Sequence, residues 1–281
     1  MCNYHPEGIK NLCNGIVICA VKDARNGEIS REEFREFIYS DWALQLLRGA
    51  ATANAIYKEV YPEMGKHELV RPMNVLIACE ESQRVCVAFR ERGHNAFSCD
   101  IEPCSGGHPE WHIMEDVIPL LNGKCRFRTM DGIEHTIDGK WDLIIAHPPC
   151  TYLSNAGARY LYPQGILNEA RLKKGLEAKD FFMEIYNADC DRICIENPTP
   201  SRIYELPKYD QVIQPWMFGH PVQKRTCLWL KGLPMLKSTD ITKERQSSKN
   251  ADWFNKGGKD RQKNRAKTFP GIAMAMAAQW G

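Results

Sequence analysis

From Met73 onward the chain alternates short apolar runs with amphipathic stretches, and this alternation restricts its possible folds more than any other feature. The runs are VLIAC at 75–79, AFSC at 96–99 ending in Asp100, LIIA at 143–146, RICI at 192–195 and TCLWL at 226–230. Helical patterns lie between them, one through Val87 and Phe89 to Gly93 and a long one from about Leu167 to Ala188. A strand whose side chains are all apolar has to be buried on both faces. The order therefore predicts βαβ units and an α/β fold with a doubly wound, mostly parallel sheet covered by helices. Ligands of such sheets bind outside the carboxyl ends of the strands, so the informative residues are those that directly follow each run.

A chain of 281 residues with 43% hydrophobic side chains can build one full-sized core and a small appendage. Residues 1–72 are read as that appendage, a helical N-terminal accessory segment, and 73–281 as the main domain. Ser30 and Glu33 have capping-box spacing, and Phe34, Phe37, Ile38, Trp42 and Gln45 to Leu47 then recur at helical intervals. No apolar run approaches the roughly 20 residues of a membrane span, and 15–21 lacks the basic start and long apolar middle of a signal peptide. The expectation is a cytoplasmic, soluble monomer without a membrane partner. Twelve cysteines, diluted over an ordinary composition, read mostly as reduced core thiols. With 37 basic and 35 acidic residues the chain is no polycation, so charge has to be read by segment. Residues 237–267 carry ten basic side chains against four acidic ones, with Trp253 and Phe254 among them. A charge run is ordinarily a solvated loop, but interleaved aromatics able to stack on bases point to nucleic acid.

LIIA runs into His147-Pro148-Pro149-Cys150 and then Thr151-Tyr152-Leu153-Ser154. Two prolines fix the backbone and set a thiol at a strand end, where it reads either as a nucleophile or as a structural thiol. RICI runs into Glu196-Asn197-Pro198. A carboxylate there reads either as a loop cap or as a group that protonates a ring nitrogen, which makes the ring electron-poor for attack by a thiolate. Gln223-Lys224-Arg225 brings a cation to the start of TCLWL.

Together and in this order, these three elements resemble the DNA (cytosine-5) methyltransferases, in particular compact phage-encoded members, over about residues 73–281. The resemblance implies a fold of the S-adenosylmethionine-dependent methyltransferase type, with S-adenosylmethionine as cofactor and DNA as partner. The implied reaction is methyl transfer to C5 of a flipped cytosine through a covalent adduct at C6. Cys150 matches the family's nucleophile, Glu196 and Asn197 its Glu-Asn dipeptide, and Arg225 its arginine near the target base. Residues 268–273 look like a shortened form of its closing helix. Asp100 falls where the family holds the ribose hydroxyls and Asp116 where it meets the adenine amino group. Glu80, Ser82 and Pro148 complete the cofactor candidates, although 79–83 (CEESQ) contains no glycine where the family has a glycine-rich turn. The DNA-binding candidates are Ser154, Gln223, Lys256, Lys259, Arg261 and Lys263, with 237–267 as a reduced target-recognition segment.

Other readings stay open. Cys99, Cys104, His108 and His112 have a spacing that a tetrahedral zinc site tolerates, but they overlap the ribose-binding strand end, and no metal is expected. Cys2, His5, Cys13 and Cys19 form a weaker set. An amino-methyltransferase acting on adenine N6 or cytosine N4 also has a two-proline loop, but usually with Asp, Asn or Ser before it and an aromatic after it. His147 and Cys150 stand there instead. RNA cytosine-5 methyltransferases carry the nucleophile after the following strand, where this chain has Glu196. A catalytically silent DNA-binding relative would account for the missing glycines.

If the basic segment holds phosphates, changing Lys256, Lys259, Arg261 and Lys263 to Gln should weaken binding to all DNA sequences alike. For each phosphate no longer neutralised, the slope of log affinity against log salt should flatten by about 0.9. An unchanged slope in a salt titration would move the DNA track elsewhere, with Arg159 and Lys173-Lys174 next in line.

Overall fold

The computed structural model describes residues 6–40, 43, 46–47, 50–62, 72–247 and 261–281. The chain divides into two units, Met1–Pro72 together with Phe89–Asn95, and Met73–Ala88 together with Ala96–Gly281.

The first unit contains α1 (Pro6–Asn26), α2 (Arg31–Ile38) and α3 (Ala50–Val60). The capping box forms: Ser30 Oγ accepts from Glu33 N at 3.2 Å and Glu33 Oε2 from Ser30 N at 2.7 Å. Phe34 and Ile38 are buried with Val17, Ala24, Ala53 and Tyr57 in a small core of their own. The stripe does not continue as one helix. It stops at Tyr39, and Ser40 Oγ then accepts from Ala43 N to open a new turn, because a serine hydroxyl competes for the backbone donors a helix needs. Trp42 and Gln45 lie outside the described residues.

From Met73 onward the chain carries, in order, β1 (Asn74–Ala78), α4 (Arg84–Glu91), β2 (Asn95–Cys99), β3 (His112–Ile113), β4 (Cys125–Arg128), β5 (Glu134–Ile137), β6 (Leu143–Ala146), α5 (Asn155–Ala158), α6 (Glu169–Tyr186), β7 (Ile193–Pro198), β8 (Gln211–Ile213), β9 (Val222–Gln223), β10 (Thr226–Lys231), β11 (Gln246–Ser247), α7 (Arg261–Ala266) and α8 (Pro270–Trp280). Seven strands form one sheet in the order β3-β2-β1-β6-β7-β10-β8. β1 pairs with β6 and β6 with β7 in parallel, whereas β10 runs antiparallel to β7 and β8. This is an α/β fold with a mostly parallel central sheet flanked by helices, compatible with a Rossmann-like arrangement. Alternate strand residues Leu76, Ala78, Ile144, Ala146, Ile193 and Ile195 share one core cluster with Phe182 of α6 and Trp229 of β10, as a period of two requires. Among the described residues no helix is long and apolar enough to cross a membrane.

The turn from β1 into α4 has no glycine, yet Cys79 (φ 59°) and Gln83 (φ 58°) adopt the left-handed conformation. Each costs on the order of 1–2 kcal/mol and persists only where its surroundings hold it. Glu80 is buried, and its carboxylate accepts from Val85 N at 2.7 Å and Cys86 N at 3.1 Å in the first turn of α4. The Gln83 amide accepts from His108 N at 3.0 Å and donates to His108 O at 2.8 Å. Ser105 N donates to Glu81 O at 2.8 Å, so the 104–108 loop lies flat on the turn. Only glycine allows that approach, because a Cβ on Gly106 would sit 2.5 Å from Gln83 Cβ and 2.7 Å from Ser82 O. Gly106→Ala should therefore destabilise by about 1–3 kcal/mol in denaturant unfolding. Gly139→Ala, where a Cβ meets nothing within 4 Å, is the matched control.

Candidate active site

Between β1 and β6 the chain order reverses, and it is outside the carboxyl ends of strands at such a switch point that α/β sheets place ligands. His147 N donates to Ala78 O at 2.9 Å and carries the β1–β6 ladder one residue past β6. Pro148 is buried, and its carbonyl accepts from Asn197 Nδ2 at 2.9 Å, which ties the proline turn to β7. Cys150 follows, partly buried. Ser154 N donates to Cys150 O, and Ser154 Oγ caps α5 by accepting from Gly157 N at 3.2 Å. A Cβ on Gly157 would fall 2.1 Å from Thr151 O, and Arg171 Nη2 donates to that same carbonyl at 3.1 Å and to Gly157 O at 3.0 Å. The loop carrying the thiol is therefore held from both sides. Ser154, expected on the DNA side, is instead buried and holds this loop.

Glu196 is placed differently from the sequence expectation. RICI does not end the strand; β7 continues through Glu196 and Asn197 to Pro198, because antiparallel β10 pairs with it as far as Thr226↔Pro198. Glu196 Oε2 lies 3.1 Å from His147 Nδ1, with side chains 15% and 9% exposed. Burial opposes both charges. For Glu196 the His147 hydrogen bond and the Lys224 charge outweigh burial and hold the carboxyl below its ordinary range. For His147 the same hydrogen bond, with the charges of Glu196 and Glu80, outweighs burial and raises the imidazole above its ordinary value. Burial and the Glu196 charge push the Cys150 thiol up, while Lys224 and Arg265 pull against them.

The cation acting on this cluster is thus Lys224, partly buried, which donates to Arg265 O at 3.0 Å. Arg225 has its guanidinium on Thr199 Oγ1 (3.2 Å) and the Tyr209 hydroxyl (3.0 Å). Gln223 is exposed on β9, which pairs with β11. Lys256 and Lys259 lie outside the described residues, and Arg261 and Lys263 belong to α7. Beside the Cys150 loop lies a second basic and aromatic group, of which the sequence offered only Arg159, as a fallback for the DNA track. Arg171 lies over the Tyr152 ring (4.9 Å) and the Tyr160 ring (5.3 Å), and exposed Arg159 lies over exposed Tyr160 (4.6 Å).

On the cofactor side, Glu80 is turned inward onto α4 and Ser82 is partly buried. Asp100 follows β2, partly buried, with Oδ1 accepting from Glu102 N at 3.0 Å, and burial raises its carboxyl. Asp116 is exposed and Oδ1 accepts from Ile118 N at 3.1 Å. The zinc spacing does not assemble: among the described residues no three His, Cys, Asp or Glu side chains converge on a metal position. His112 has both ring nitrogens engaged, by Ser98 Oγ at 2.8 Å and Glu102 O at 2.9 Å, and the His108 ring stacks on Trp111.

No protein-family model matches the chain, and no curated protein matches it.

The buried pair makes stability depend on pH in two directions. The contribution of His147 is complete below its ordinary value of 6.5 and is lost as pH rises through its raised folded value. That of Glu196 is complete above its ordinary value of 4.5 and is lost as pH falls through its lowered folded value. Stability from this pair should therefore be greatest between those values. Glu196→Gln should cost about 3–5 kcal/mol there, and urea melts at several pH values should show a weaker decline on the alkaline side than in wild type.

Proposed function

We infer that the chain transfers a methyl group from S-adenosylmethionine to C5 of cytosine in DNA, with an α/β domain of the methyltransferase type. One observation carries the reading. The Cys150 thiol follows β6, and the Glu196 carboxylate lies in β7 one residue past the end of its parallel pairing with β6, close enough that the charge of one shifts the acidity of the other. A nucleophile beside a carboxylate suits attack on one position of a flat ring whose nitrogen is held at the same time. An amine-directed enzyme needs neither group.

The residues on the cofactor side fit the proposed ligand. Asp100 is a carboxylate kept partly buried at a strand end, and the next residue, Ile101, is 79% exposed. A hydrogen-bond acceptor beside uncovered apolar surface suits ribose hydroxyls and a flat purine, so Asp100 and Asp116 would hold the nucleoside part. S-adenosylmethionine, when bound, supplies an electrophilic methyl group.

In the resting protein Cys150 is a neutral thiol. A base that hydrogen-bonds to Glu196 spreads that negative charge and lifts its repulsion from the sulfur, leaving Lys224 to favour the thiolate, whose proton leaves to water. Cys150 then adds to C6 while Glu196, ionised at rest, takes up a proton and passes it to the N3 nitrogen, and the electrons pushed onto C5 make that carbon nucleophilic. After transfer, loss of the C5 proton breaks the bond from C6 to sulfur and frees Cys150. A base stacked in duplex cannot reach a site at the strand ends, so it has to be flipped out. Arg159, Tyr160 and Arg171, beside the Cys150 loop, offer charge and stacking surface for the strand.

Mass spectrometry of nucleosides from DNA incubated with the protein and S-adenosylmethionine should reveal 5-methylcytosine. DNA containing 5-fluorocytosine should give a denaturant-stable adduct with wild type and none with Cys150→Ala, since fluorine blocks the final elimination. Glu196→Gln should bind DNA but lose about 100-fold or more in turnover. An undiminished adduct in Cys150→Ala would overturn the assignment. The glycine-free turn favours one second reading, a DNA-binding relative without activity, and calorimetry finding no S-adenosylmethionine binding would establish it.

A further inference from the structure

His147 does more than the proposed reaction asks of a residue next to the nucleophile. Its side chain is only 9% exposed, and Nδ1 is committed to Glu196 Oε2 at 3.1 Å. Nε2 is buried and has no hydrogen-bond partner among the described residues. The charged groups that face the ring come from three other elements: Glu196 from β7, Glu80 from the β1–α4 turn and Lys224 from the segment before β10. Glu80 has its carboxylate on two backbone donors of α4, which fixes its position, while burial raises its carboxyl against those bonds and the His147 charge.

A side chain needed only to orient Glu196 would have one donor and no second polar atom left unsatisfied inside the protein. Burying an imidazole with one nitrogen unpaired is costly when the ring is neutral. The Glu196 carboxylate bonded to Nδ1 offsets that cost by favouring the cationic form of the ring. This arrangement suits a group that alternates between protonation states rather than one that simply holds a neighbour.

We propose that His147 and Glu196 form one proton-holding unit, in which His147, a positioning residue that does not touch the base, keeps the proton that Glu196 hands over. The inference rests on the methyltransferase reading for its destination, the ring nitrogen, but not for the coupling itself. The proton leaves Nδ1 for the Glu196 carboxylate and passes from there to N3. The imidazole is left neutral and Glu196 ends ionised, as it began. When the adduct collapses, N3 returns its proton along the same path, so the unit gains and loses nothing over a cycle.

The experiment is an NMR titration of the full chain labelled at histidine Cε1, with the His147 signal assigned by its absence from His147→Asn. In wild type it should titrate above about 6.5, the ordinary imidazole value. Glu196→Gln should lower its midpoint by about one unit or more, since a directly bonded carboxylate is removed, and Glu80→Gln should lower it by less. Glu196→Asp, which keeps the charge, should leave it raised and serves if the amide variant folds poorly. A midpoint at or below the ordinary value, or one indifferent to Glu196→Gln, would overturn the inference. His147→Asn, which retains an N–H for Glu196 but no exchangeable charge, should bind DNA as wild type and lose about 100-fold or more in turnover with an altered pH profile. Turnover and profile unchanged in that variant would also overturn it. If wild type yields neither methylcytosine nor adduct while His147 still titrates with Glu196, the reaction assignment fails and the proton-holding pair stands.

Discussion

Parallel pairing of β1 with β6 is the constraint on which the second unit depends. The register Ala78↔Ala146 sets the ends of both strands level, so the β1–α4 turn and the proline turn emerge side by side. Both strands are almost wholly buried, and sliding one by a residue would exchange every side chain between the two faces. The relative position of these two turns is therefore as fixed as the core beneath them. The polar groups around them are fixed too: Gln83, Asn197 and Glu80 are buried and spend their hydrogen bonds on neighbouring loops and helix ends rather than on solvent.

That frame explains why one thiol among many stands apart. Burial raises Cys79, Cys99 (to about 12) and Cys194, which keeps them protonated and inert at neutral pH. Resting acidity does not distinguish Cys150, which is also raised. What distinguishes it is a neighbouring carboxylate whose repulsion a ligand can relieve, two cations already pulling the other way, and partial access to solvent.

Much of the sheet was legible because its strands are continuous apolar runs: β1, β2, β6 and β10 lie where the runs are, and α6 lies where the long helical pattern is. Glu196 inside β7 was not legible, since Glu-Asn-Pro reads as a strand end and only the partner strand β10 prolongs it. The β4–β5 hairpin was passed over although Asp131-Gly132 marks its turn, because its strands are short and rich in charge. Lys224 and Arg225 lie between β9 and β10, outside either strand, so no alternation in the sequence separates their surroundings. The His147–Glu196 pair joins residues 49 apart, and nothing local in either segment announces it.

Both margins of the sheet are stubs. β3 is a two-residue strand and β8 a three-residue one, so the row of unpaired backbone groups along each border is brief. A long bare border would invite another copy of the chain to add its own strand, which is how sheet proteins come to aggregate. β3 covers only Ser98 and Cys99 of β2, and β8 only Thr226 to Leu228 of β10, so each border is stepped rather than straight and offers an added strand no long continuous ladder.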